Sequence, residues 1–339
     1  MANVRHPHSC RLCNWLPAEP SLFNSLFLFT GLLTIATVPF IYWKLDSSIS
    51  TARFLTPHER LQCHERLRAN QGGSHSNKLK WPQVTETFLD IKTYLFLAMA
   101  LGNNLGAQVT NTFGPLILNG LGDGFDKYTT TLLNIPFGAI QYIVIMVVAW
   151  AATRAREKGV TLFAILVPIL VGLVMLYVVP RGQNHTPALL AGYYLLAFIF
   201  GANTLIVSWI LANTAGTTKR SVMMSLYNAA SSAGNIIGPL LFDARDAPEY
   251  RPGLRSTLGV YGMIVGVVAL QWLNLWVLNR QQGQQRVRNG KPRVLQDHSM
   301  EGRYVDMGLD NDDVDGAGLG RRAFEDLTDR ENDEFVYVY

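Results

Sequence analysis

Seven long apolar runs in a chain of 339 residues predict an all-α protein built into a lipid bilayer. They fall at Leu22–Tyr42, Thr93–Leu118, Thr130–Ala152, Val160–Val179, Ala188–Leu211, Val222–Phe242 and Thr257–Asn279, and none contains Asp, Glu, Lys or Arg. A helix needs about 20 apolar residues to cross the roughly 30 Å hydrocarbon layer. Charge is the second observation. Asp, Glu, Lys and Arg make up 16% of the chain, against about a quarter in soluble domains. The third is segregation, since polar residues gather in 43–92 and 280–339. A net charge of +4 and three cysteines exclude a basic nucleic-acid-binding domain and a disulfide scaffold.

The first run starts 21 residues in and ends in Pro39, Tyr42 and Trp43 rather than a small-residue cleavage site. It therefore predicts a retained span, not a signal peptide. Alternating loops carry eighteen Lys and Arg on one side and five on the other. The positive-inside rule places 43–92 and 280–339 in the cytoplasm and residues 1–21 outside. Within 43–92, Thr56, Pro57 and Glu59 stand at the spacing of a capped helix start. Leu61, Arg66, Leu67 and Arg68 continue an amphipathic pattern suited equally to the membrane face and to solvent. Gln71 to Asn77 reads as a Gly/Ser-rich joint. In the tail, basic residues precede thirteen Asp and Glu between Asp297 and Glu334. That acidic part, with its aromatic end Phe335 to Tyr339, predicts disorder.

Amides define the candidate site. Asn104, Gln108 and Asn111 are spaced i, i+4, i+7 in the second span, and Asn228, Ser232 and Asn235 repeat that spacing in the sixth. Each set shares one helical face. Amides donate to carboxylates and accept from N–H groups, which suits a small polar organic anion; the same groups also serve as hydrogen-bond glue between helices. Tyr193, Tyr194, Asn203 and Trp209 lie in the fifth span. Pro136 with Gly138, and Gly234, Gly238 and Pro239, are candidate hinges. Lys219 and Arg220 stand at the cytoplasmic mouth, either drawing an anion or anchoring the span. His6, His8, Cys10 and Cys13 have zinc-ligand chemistry, but the plain reading is an unmatched N-terminal segment. The chain shows no phosphate-binding loop, His-Glu-x-x-His or Gly-x-Ser-x-Gly, so neither an enzyme nor a cofactor is expected.

Several ordered motifs carry a resemblance. Asn213 to Arg220 (NTAGTTKR) is followed by Asn228, by Ala233 to Pro239 (AGNIIGP), and by Phe242 with Asp246 to Gly253 (DAPEYRPG). This resembles the tenth-to-eleventh-span region of the fungal allantoate permease family, in the anion:cation symporter branch of the major facilitator superfamily. Phe54 to Thr56 with Glu59 and Arg60, Phe113 to Ile117, Leu132 to Pro136, and Asp326 to Asp329 with Glu331, Asn332 and Phe335 resemble further family segments in order. The resemblance implies seven transmembrane helices: a six-helix C-terminal bundle at 93–279 preceded by the sixth-span equivalent at 22–42. It implies a plasma-membrane symporter of allantoate-, nicotinate- or pantothenate-like carboxylates, coupled to protons. No Asp, Glu or His lies in the apolar runs, so a proton-carrying group is expected in spans outside this chain. The family has twelve spans, so the chain is expected to be truncated and, alone, to transport little or nothing. The alternatives are a non-transporting partial product and a seven-span receptor, though the receptor's Asp/Glu-Arg-Tyr and Asn-Pro-x-x-Tyr motifs are missing from the third and seventh spans.

Overall fold

The computed structural model describes residues 20–46, 52–60, 62–63, 79–114, 118, 127–155, 157–180, 185–246, 249–293 and 325–339. The His/Cys cluster, the Gly/Ser-rich joint and Arg66 to Arg68 lie outside these residues. The chain divides into two units, 1–64 and 65–339.

In the first unit, helix α1 runs Pro20–Lys44. The hydroxyls of Thr30, Thr34 and Thr37 donate back to the carbonyls of Phe27, Thr30 and Thr34 at 2.6–3.1 Å. Their polarity is thereby spent on the helix itself. What remains is an apolar surface, with Phe29, Leu33 and Phe40 all exposed, as expected of a helix solvated by lipid. The capped start at Thr56 forms as its spacing predicts. Glu59 accepts from the Thr56 N–H at 2.9 Å, and the Glu59 N–H donates to the Thr56 hydroxyl at 3.3 Å.

The second unit holds α2 (Trp81–Leu89), α3 (Ile91–Asn111), α4 (Lys127–Ala155), α5 (Lys158–Val178), α6 (Thr186–Leu195), α7 (Phe198–Ala212), α8 (Thr217–Leu240) and α9 (Arg251–Arg288). Helix α3 is the centre of the packing, and glycines let its neighbours close on it. A Cβ at Gly234 of α8 would lie 2.5 Å from the Leu101 carbonyl, and one at Gly238 would lie 2.8 Å from the Leu105 carbonyl. On the other side, a Cβ at Gly106 of α3 would meet the Tyr261 ring of α9 at 2.4 Å. Small residues four apart allow backbones this close, which is how helices gain contact in lipid. Gly172 of α5 and Gly192 of α6 make a second such crossing.

Among the described residues, five helical stretches are long and apolar enough to cross a membrane, in α1, α4, α5, α6–α7 and α9. The sequence predicted seven. Helices α3 and α8 have the length, at 21 and 24 residues, but fall short in apolarity because of their amides, hydroxyls and glycines. The predicted fifth span is two pieces, α6 and α7. Leu196 and Ala197 join them through i→i+3 bonds, as in a local 3₁₀ tightening. Helix α9 is 38 residues long, about 57 Å at 1.5 Å per residue, and runs nine residues past the predicted boundary at Asn279.

The tail requires a correction. Residues 325–339 are not a solvated acidic end but a strap laid across one end of the bundle, with Asp329, Phe335 and Tyr337 all buried. The reason is specific pairing. Its acids meet lysines of the bundle, and its aromatics complete the core. Acidic composition alone does not reveal a basic receptor formed by distant segments.

Candidate functional site

Two polar arrangements stand out in the second unit. The first is a row of amides across α3, α7 and α8. The Asn104 amide nitrogen donates to Ser231 at 3.1 Å and to Asn203 at 3.5 Å, and also back to the Ala100 carbonyl at 2.8 Å. The Tyr227 hydroxyl donates to the same Asn203 amide oxygen at 2.9 Å. Further along, Gln108 donates to Asn235 at 2.7 Å and accepts from Thr112 at 2.8 Å. Most of this row is therefore interhelical pairing, each bond worth about 0.5–1.5 kcal/mol net.

The predicted sets divide at this point. Asn104 is half-buried and Gln108 buried, both turned to α8, whereas Asn111 is exposed. Asn228, Ser232 and Asn235 are all exposed on one face of α8. A lipid-facing triad of two amides and a hydroxyl would be costly, so this face suits water or a ligand. Tyr194 donates to the Leu133 carbonyl at 3.1 Å, one turn ahead of Pro136 in α4, where a proline disturbs backbone pairing. Tyr193 donates to Asn134 at 3.1 Å. Helix α4 continues through Pro136, and α8 through Gly234 and Gly238, with Pro239 at its end. The two α8 glycines have a packing role against α3.

The second arrangement is a buried charge cluster where α3 and α8 begin. The Lys219 ammonium lies 2.8 Å from Asp329, 2.8 Å from Glu86 and 3.2 Å from Asp90. Lys92 lies between Asp329 and Asp90, and Arg330 reaches Asp90 at 3.2 Å. Three cations face three carboxylates. Burial alone would raise the Asp329 carboxyl, but Lys92 and Lys219 outweigh it and hold it well below the usual carboxylate range. Asp90 is lowered in the same way: burial opposes, and Lys92 and Lys219 prevail. Burial and the Asp329 charge push Tyr337 well up, so its hydroxyl stays a donor to Asp329 at 2.9 Å.

The Lys219 ammonium is thus spent on carboxylates of its own chain. Arg220 donates to the Thr214 carbonyl at 3.1 Å and the Leu211 carbonyl at 3.4 Å, capping the end of α7. Sequence reasoning missed Asp90, Lys92 and Asp329. Asp90 and Lys92 sit just before the second apolar run, where charges look like boundary markers. It also missed α2, although Trp81-Pro82 is a helix-start signal. Gln83 of α2 accepts from the first-turn N–H groups of Thr218 and Lys219 at 3.1 and 3.2 Å. Asp326 accepts from the Thr217 N–H at 2.7 Å. Residue 216 must be glycine there, because φ is +90° and a Cβ would sit 2.9 Å from Gln83 Oε1.

Lipid-suited helices and glycine-mediated crossings mark a polytopic membrane protein. The family model of the Major Facilitator Superfamily matches residues 13–239, and the chain belongs to that family. It is similar to the MFS-type transporter cnsL of Penicillium expansum, at 35% identity over 70% of this chain and 48% of that one. The thiamine pathway transporter THI73 of Saccharomyces cerevisiae is 29% identical over 98% of this chain and 56% of its own length. The allantoate permease of the same yeast is 25% identical over 93% and 54%. The chain spans about half the length of these curated relatives. No solved structure matches it significantly. Its place is among transporters rather than enzymes.

Proposed function

We propose that the 65–339 unit is one lobe of a carrier for small organic anions, working by alternating access in the plasma membrane. In this reading α1, α3, α4, α5, α6–α7, α8 and α9 all cross the bilayer. The strap lies on the cytoplasmic side and residues 1–21 outside. The carrying observation is the exposed face of α8, where Asn228, Ser232 and Asn235 align about a turn apart and Asn235 accepts from Gln108 of α3. Amides on such a face orient a carboxylate through N–H donors. The allantoate permease among the relatives supports a carboxylate substrate. Proton coupling fits the same class. The buried carboxylates Asp90 and Asp329 are locked by lysines and are poor proton carriers, so this reading assigns that role to another part of the carrier.

The test uses single cysteines in a chain whose own three cysteines are replaced by serine. Asn228→Cys, Ser232→Cys and Asn235→Cys should react with a charged, water-soluble thiol reagent, and small carboxylates such as allantoate should slow the reaction. Leu240→Cys, exposed on an apolar part of α8, should stay inert. Equal inertness of all four would place the amide face in lipid and end the proposal.

A further inference from the structure

We propose that the end of the bundle formed by α3, α5, α7, α8 and α9 is a peptide-recognition groove, and that residues 325–339 are its built-in ligand. Two asparagines read the main chain of the strap. Asn213 donates to the Val338 carbonyl at 3.0 Å and accepts from its N–H at 2.9 Å. Asn279 does the same for Tyr337, at 2.8 and 2.9 Å. The Trp209 indole adds a donor to the Val338 carbonyl at 2.8 Å. The Lys158 N–H, in the first turn of α5, donates to the Tyr339 main-chain oxygen. Gln282 and Arg286 of α9 donate to the Asp329, Asp333 and Phe335 carbonyls at 2.9–3.3 Å.

Holding a segment by its backbone, with pockets for chosen side chains, is a general mode of peptide recognition. Two side chains of the strap supply the selectivity. Asp329 enters between Lys92 and Lys219, and Tyr337 is buried with its hydroxyl on Asp329. Charge is complementary along the length, since Asp326 meets Lys80, and Asp333 with Glu334 meets Lys291. The ligand is also preshaped. Thr328 and Glu331 cap one another, and the Asn332 N–H returns to the Thr328 carbonyl at 3.0 Å. Such preshaping lowers the ordering cost of binding. The groove requires only this surface, so it stands whether or not the carrier takes organic anions.

The experiment uses the full chain with a specific protease site placed within 294–324. After cutting in detergent, the 325–339 piece should stay with the bundle through size exclusion. A labelled 325–339 peptide in excess should displace it, and peptides with Asp329→Asn or reversed sequence should compete at least tenfold more weakly. Loss of the piece on the column, or displacement indifferent to sequence, would overturn the proposal. In the uncut chain, Asn279→Ala removes one backbone clamp and leaves the charge cluster in place. Chymotryptic cutting after Phe335 and Tyr337 should then speed up at least tenfold; an unchanged rate would remove the clamp from the account.

Discussion

Replacing Lys219 with methionine isolates the energetics of the charge cluster. The Lys219 side chain is 1% exposed, and its partners Asp90 and Asp329 are as deeply buried. Methionine fills a similar volume, so the change is chiefly electrical. It leaves Asp90 and Asp329 to Lys92 and to Arg330, which is 44% exposed, and takes from the less buried Glu86 its lysine. Stripping one partner from a buried ion pair costs about 3–5 kcal/mol. A domain of this size loses roughly 2–4 °C per kcal/mol, so the midpoint should fall by roughly 6–20 °C. Thermal unfolding in detergent, followed by a thiol-reactive dye or by fluorescence-detected size exclusion, reads this directly. The double variant Lys219→Met/Asp329→Asn restores charge balance and should recover part of the loss, giving a coupling above about 1 kcal/mol. Arg330→Ala, at the exposed rim, should cost at most about 1 kcal/mol. A Lys219→Met midpoint equal to that of the parent, or strict additivity in the double variant, would refute the reasoning.

Gly234→Val drives a side chain into the Leu101 carbonyl and should cost about 1–3 kcal/mol, while Gly262→Ala, with open space around it, should leave the midpoint unchanged in the same thermal assay. Asn104→Ala breaks the α3–α7–α8 junction and should lower the midpoint, whereas Asn228→Ala, exposed on α8, should spare it and act on carboxylate protection in the thiol assay. The strap's pH response follows from its carboxylates. Asp90, Asp326 and Asp329 are all lowered in the folded protein, so their stabilisation is fully present above the unfolded value of about 3.9 and is lost as pH falls through the folded values. Hydrogen-exchange protection of the Phe335–Val338 amides, corrected for intrinsic rate, should therefore hold constant from pH 8 to 5 and decline only in stronger acid.

How much was legible depends on how local each signal is. Apolar run length marks α4, α5 and α9 well, because crossing a bilayer imposes a residue count that needs no partner. Thr56 and Glu59 are likewise a local matter, three residues apart, and they cap as their spacing implies. Asn104 and Asn203 are 99 residues apart, so their pairing has no sequence signature beyond the helical face each occupies. The spacing grouped Asn104, Gln108 and Asn111, yet the packing turns the first two toward α8 and leaves the third exposed. Lys92 and Asp329 are 237 residues apart; each looks like an ordinary surface charge until the strap is laid against the bundle. The break at Leu196–Ala197 carries no proline or glycine, so composition offers no warning of it.

Sided labelling of single cysteines in sealed vesicles tests the membrane architecture most directly. The account predicts that Arg154→Cys and Lys291→Cys react from one side with an impermeant reagent, that Tyr177→Cys and Arg251→Cys react only from the other, and that the chain resists alkaline extraction. Reaction of all four from the same side, or release of the chain into the aqueous fraction, would contradict it.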